Sequence, residues 1–223
     1  MKHSALVFGL MAAISSGSVL AQDFGIAAQA GTTGIALQGG MGINDSFGLR
    51  LTLNAFSQDK SGTESNVNYD ATADLRSGGL FADWYPFQGG FRVSTGLFLN
   101  KNEINLTGNP SGGTYDINGT TYQASDLGSL TGKLDYGQKV APYLGLGWGH
   151  LGKKSGFSFM ADVGVLFTGE PDVALNGTCN PSLPVMTCDQ LQADIAAEEA
   201  QLKGEMGDAN IWPVISLGVG YTF

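Results

Sequence analysis

Few side chains in this 223-residue chain have the chemistry to act. Once His3 of the N-terminal segment is removed, His150 is the one imidazole left. It stands beside Leu151 and Gly152, with no serine and acid converging on it, whereas nucleophilic catalysis needs base and nucleophile side by side. Phosphate-cradling loops and zinc spacings are missing from the sequence, so no enzyme, metal or cofactor is expected. Cys179 and Cys188 are an isolated pair inside CNPSLPVMTC, where Pro181 and Pro184 favour a bend. A disulfide stapling that segment is the reading; zinc would need more ligands than two thiols.

Four charges pose the sharper question. Arg50, Asp83, Arg92 and Asp162 stand at the polar parity of alternating segments; GLRLTLNAF, for example, sets Leu49, Leu51, Leu53 and Ala55 against Arg50, Thr52 and Asn54. If the apolar parity faces lipid, all four point inward, and the cost of unpaired buried charge predicts that they pair. Two roles stay open. The set is a salt-bridge network filling a small barrel, whose interior is just wide enough for side chains, or the luminal constriction of a narrow route for a small zwitterion or cation. Lys133 and Asp135 are expected to continue the polar column into an upper lumen, and Glu170 and Asp172 to mark an acidic mouth.

Positioning such a set requires strands, and the chain supplies them. Eight segments alternate: 24–30, 35–43, 48–58, 75–87, 91–106, 132–149, 157–167 and 212–223. The double glycine at 78 and 79 predicts a bulge that switches facing. Pro142 predicts a bulge or a locally unpaired site. Long and short connections alternate along the chain: NDSF, QGG and HLGKKSG join even to odd strands, and longer polar stretches follow most odd ones. Trp84, Tyr85, Phe87, Phe91, Trp148, Tyr221 and Phe223 gather at the short-turn side as one interfacial girdle. Without water in lipid every backbone N–H and C=O must be paired, and a closed sheet achieves that. The fold class expected is therefore all-β, an eight-stranded antiparallel transmembrane barrel in the outer membrane, and a monomer, since eight strands close alone.

The first 21 residues are a separate object. Lys2, the apolar stretch 5–14 and a small-residue tail ending at Ala21 read as a secretory signal, leaving 22–223 as the barrel domain. Export gives the two cysteines an oxidising setting. Without Lys2 the chain has 10 basic and 20 acidic residues, a net of −10, which argues against a nucleic-acid partner. No later run approaches the roughly 18 to 20 apolar residues of a membrane helix. The chain ends on Phe223 two residues after Tyr221, an expected assembly signal read by the barrel-assembly machinery through the final strand.

Among the loops, TYDINGTTYQ has β-prone arms around Asn118-Gly119, the signature of a two-residue hairpin. TCDQ predicts a capping box for a short helix over 189–203 that ends at Gly204 and lies over or beside the mouth. From Glu170 to Asp208 there are eight acids and one base, Lys203, either a solvated loop or a rim that concentrates cations.

AGTTG (30–34), INGTTYQ (117–123), TGKLDY (131–136), APYLGLGWG (141–149) and TGEPDVAL (168–175), in that order, resemble the CarO-type outer-membrane proteins associated with carbapenem susceptibility. The resemblance implies an eight-stranded barrel with passive uptake of small solutes, basic amino acids such as ornithine among them. It carries over no binding-site residue, and the Cys179–Cys188 loop lies outside its pattern. The function expected is a narrow passive channel for small cationic or zwitterionic solutes. The rival is a closed structural or interaction barrel whose loops contact lipopolysaccharide or other partners.

Overall fold

The alternation becomes a ring. The computed structural model describes residues 24–64, 67–110, 113–136, 138–181, 184–207 and 210–223; the signal segment 1–21 and Asp208 lie outside the described residues. The strands are β1 (Phe24–Gly31), β2 (Gly34–Gly42), β3 (Phe47–Glu64), β4 (Val67–Trp84), β5 (Phe91–Asn100), β6 (Glu103–Pro110), β7 (Thr114–Ile117), β8 (Thr120–Gln123), β9 (Leu127–Tyr136), β10 (Val140–Trp148), β11 (Gly156–Phe167), β12 (Pro171–Cys179) and β13 (Ile211–Thr222), with one helix, α1 (Val185–Met206). Eight of them close antiparallel in the order β1-β2-β3-β4-β5-β10-β11-β13, and β13 returns to β1 from Gly25↔Thr222 to Gly31↔Ser216. No helix among the described residues is long and apolar enough to cross a membrane.

The wall is inside out relative to a protein dissolved in water. Leu49, Leu51 and Leu53 are exposed while Arg50, Thr52 and Asn54 on the same strand are buried. Leu97, Leu99, Leu144, Leu146, Val163, Leu217 and Val219 continue the exposed band around the ring. Contiguous apolar surface of this extent marks a lipid contact. Trp84, Phe87, Trp148, Phe157 and Phe223 are exposed at the short-turn rim. There Phe157 meets Tyr221 edge to face at 5.0 Å and Phe24 stacks on Phe223 at 6.4 Å. Tyr85 leaves the expected girdle: it is buried, with Lys153 Nζ over its ring at 4.2 Å.

On one side the sheet outgrows the ring. β3 and β4 run on, and β6, β9 and β12 add to them as a wall in the order β3-β4-β6-β9-β12. The polar stretch after residue 58 is thus largely strand, and the single segments expected over 91–106 and 132–149 are each broken in two, at 101–102 and 138–139. No bulge forms at Gly78-Gly79, where the β3–β4 register passes unbroken through Leu53↔Gly78 and Thr52↔Gly79. The reason for glycine is space, since a Cβ at Gly79 would lie 2.9 Å from the Phe81 ring and 3.2 Å from that of Phe98. Pro142 pairs with Leu97 of β5, while the ladder to β11 ends at Tyr143, a locally unpaired site.

Helix α1 begins earlier than its sequence signal. Pro184 occupies the N-cap with no side-chain cap bond, so TCDQ lies inside the helix and makes no capping box, and the helix runs past Gly204 to Met206. It lies lengthwise along the free edge of β12: Gln192 donates to the Gly177 carbonyl at 2.8 Å, Glu199 accepts from the Leu175 N–H at 2.8 Å, and Lys203 reaches Asp172 at 3.6 Å. Side chains thus stand in for a missing strand and cover an edge that would otherwise recruit another chain.

Candidate functional site: the barrel lumen

Arg50, Asp83, Arg92 and Asp162 are inward on β3, β4, β5 and β11, at 4%, 2%, 0% and 4% exposure, and the register brings them to one level. Arg50 grips Asp83 with two bonds, Nε to Oδ2 at 2.9 Å and Nη2 to Oδ1 at 3.2 Å, and reaches Asp162 Oδ1 at 3.4 Å. Arg92 Nη2 donates to Asp162 Oδ1 at 2.7 Å, while its Nε lies 3.9 Å from Asp83. The hydroxyl of Ser94 donates to Asp83 at 2.5 Å, and Gln29 Nε2 donates to Asp162 Oδ2 at 3.0 Å. Gln38 joins Gln29 to Arg50, and Ser216 donates to Gln29. Two guanidiniums and two carboxylates sum to no charge. That neutrality lets four ions sit out of water, with both carboxylates fully bonded and Arg92 Nε alone among the guanidinium nitrogens buried without a hydrogen bond.

Above this quartet, toward the long loops, the interior divides. Phe81, Phe98 and Tyr143 form an edge-on aromatic cluster, with Phe81 5.2 Å from Phe98 and 5.0 Å from Tyr143, and Ala141, Leu166 and Val214 fill around it. Arg50 lies over the Phe81 ring at 4.8 Å, a cation–π contact on its free face. The opposite side is polar, with Gln29, Gln38, Thr52, Asn54 and Ser216. Between the two sides lies a cavity of ≈ 20 Å³, room for about one water.

Lys133 and Asp135 do not extend the lumen. Ile104↔Leu134 and Ala73↔Ile104 share the face of Phe81, so Lys133, Asp135 and Glu103 carry the opposite parity and stand on the outer face of the wall. Lys133 pairs there with Glu103 at 2.9 Å and Asp135 at 3.4 Å. The acidic mouth is dispersed too. Asp172, in register with Asp135, turns outward to Lys203; Glu170 is solvated in the β11–β12 turn. Period-two reading assumed that the strand containing Lys133 continued unbroken into β10. The break at 138–139 cancels that parity.

The long loops build a cap that sequence reasoning only sketched. The β7–β8 hairpin turns at Asn118 and Gly119, both at positive φ (51° and 74°), as the dipeptide predicts. It folds onto the helix. Tyr115, Ile117, Tyr122, Leu127, Leu191 and Ile195 make its core. The Cys179–Cys188 disulfide ties the end of β12 to the first turn of α1. Glu198 accepts from the Asn118 N–H at 3.0 Å; Asp194 accepts from the Tyr122 hydroxyl and, at 3.3 Å, from the Asn118 amide.

These bonds hold the Asp194 carboxyl below the usual range, the Tyr122 hydroxyl being the largest cause, while burial first and Asp194 second push Tyr122 up to about 12. Glu199 is low as well, chiefly through its bond from Lys203 and then through the Leu175 N–H. A carboxyl lowered on folding gives stability that is present above its unfolded value and lost as pH falls through its folded one. Acidification below the ordinary carboxylate range is therefore expected to loosen the cap. Protection factors of the α1 amides measure this, and protection that survives acid would show that neither carboxylate holds it.

No protein-family model matches the chain, and no curated protein matches it either. Solved structures do. The Acinetobacter baumannii CarO2 crystal structure superposes with a TM-score of 0.60 at 24% identity, covering 90% of this chain and 98% of that one. The fold is that of a CarO barrel. A second A. baumannii CarO structure gives a TM-score of 0.59 at 23% identity, over 89% and 97% of the two chains. At this identity the likeness is one of fold.

Proposed function

We propose that the chain is a monomeric outer-membrane barrel carrying a narrow, gated path for small zwitterionic or cationic solutes, basic amino acids among them. In this reading segment 1–21 directs export, Tyr221 and Phe223 present the last strand to the barrel-assembly machinery, and the outer wall meets lipid and lipopolysaccharide. No catalytic step and no cofactor enter it. The observation that carries it is the polar side of the lumen: Asn54, Thr52, Gln38, Gln29 and Ser216 lead from the long-loop end to a neutral quartet whose donors and acceptors match the two ends of an amino acid. Purified protein in liposomes is expected to speed entry of ornithine or glycine in a swelling assay; equal rates with and without protein would overturn the reading.

A specific observation favours a second reading. The cavity beside the quartet holds about one water, and both carboxylates are fully engaged, as expected of a barrel that is permanently filled. A closed interaction barrel would show no conductance, and its phenotype would follow deletion of the cap segment and not substitution of Arg50.

A further inference from the structure

The short turn between β10 and β11 does more than reverse the chain. Its residues fold back into the short-turn mouth, where Leu151 is 4% exposed and clusters with Ala27 and Met160. Inward positions on three neighbouring strands, β13, β1 and β2, are glycine where Leu151 sits. A Cβ would lie 2.8 Å from Leu151 Cδ2 at Gly220, 3.1 Å from the Leu151 side chain at Gly25, and 2.7 Å from Leu151 Cβ at Gly40. At Gly42 a Cβ would lie 2.1 Å from the Gly152 carbonyl oxygen. The seat is shaped for the plug.

Two further sets of bonds fix the turn. Gly152 N–H donates to the buried Thr222 hydroxyl at 3.1 Å, and Lys153 Nζ donates to the Asp45 carbonyl while covering Tyr85. Arg92, a member of the quartet, donates through Nη1 to the Gly149 carbonyl. Gly149, Gly152 and Gly156 all have positive φ (100°, 78° and 125°), so both ends and the middle of the turn sit at joints that other residues rarely adopt.

We propose that this turn is the gate of the lumen: Leu151 is the plug, the glycines of β1, β2 and β13 are its seat, and the Arg92–Gly149 bond is a latch that couples it to the charged quartet. The inference deepens the channel reading, on which it rests for what passes; the seal itself is a separate claim. With the turn withdrawn, the seat offers backbone, Ala27, Met160 and the Thr222 hydroxyl, and the space that Leu151 fills is vacated. A solute or ion that drew Arg92 toward itself would weaken the latch.

Thiol accessibility tests the seal without reference to transport. Met160→Cys, in protein whose native disulfide is intact, is treated with a small charged methanethiosulfonate reagent in detergent micelles. Labelling is expected to be slow in that background and faster by on the order of tenfold or more when Leu151→Gly is added, because the buried leucine no longer holds the turn closed. Gly40→Ala, which forces a methyl against Leu151, is expected to speed labelling as well, and serves if the first variant fails to fold by heat-modified mobility. If Met160→Cys alone reacts as fast as Ser155→Cys, which is exposed, there is no seal. If both added variants leave the slow rate unchanged, Leu151 is not the plug. Either result leaves the liposome assay to judge the channel on its own.

Discussion

Replacing Asp162 with asparagine is expected to destabilise the barrel by about 3–5 kcal/mol, the usual consequence of removing one partner from a buried ion pair. Asp162 takes donors from Arg92 at 2.7 Å, Gln29 at 3.0 Å and Arg50 at 3.4 Å, so its loss leaves two guanidiniums facing Asp83 alone. Arg92 is the more exposed to this change in energy, since its other carboxylate neighbour is 3.9 Å away and its side chain has no contact with water. The asparagine is nearly the same size, so packing is held constant and charge is what changes. Denaturant midpoints of the folded, heat-modifiable form read the effect. Replacing Asp162 and Arg92 together with leucine should recover most of it, because the remaining Arg50–Asp83 pair is neutral. A loss under about 1 kcal/mol for the single variant, the level of solvent-exposed pairs, would mean that water reaches the quartet.

Leu191→Ala should cost about 2–5 kcal/mol, as large-to-small changes at fully buried sites do. Leu191 has no exposure and lies among Tyr115, Tyr122, Leu127 and Ile195. The loss is expected to fall on the cap and spare the ring, because α1 touches β12 and the hairpin and makes none of the ladder bonds that close the eight strands. Trypsin cleavage at Lys203 should therefore accelerate while the denaturant midpoint of the ring stays in place. A parallel fall in both would show that cap and ring unfold as one unit.

How much of this was legible in the sequence depends on where lipid acts on the chain. Within the band that lipid touches, alternation is enforced by solvent on one side and core on the other, so GLRLTLNAF and FRVSTGLFL announced both strand and facing, and Arg50, Asp83, Arg92 and Asp162 could be placed inward. Beyond that band no solvent contrast divides the two faces. Residues 59–64, 67–74 and 127–131 therefore looked like loops although they are strand. The same loss of contrast hid the break at 138–139 and put Lys133 and Asp135 on the wrong side of the sheet. The gate turn was missed for another reason: a plug is a tertiary contact, and Leu151 has no local pattern. Its trace was in the seat, where inward positions 25, 40 and 220 are all glycine, a coincidence visible only once strand neighbours are known.

The apolar band on β10 runs from Trp148 at one rim to Val140 at the other. At about 3.3 Å per residue and a tilt of about 40°, that is roughly 20 Å along the membrane normal. A hydrocarbon layer thicker than this must compress around the protein, at fractions of a kcal/mol per Å. Hydrophobic mismatch thus turns a count of residues between two aromatic and charged rims into a sorting signal, and the wall by itself favours thin membranes over thick ones.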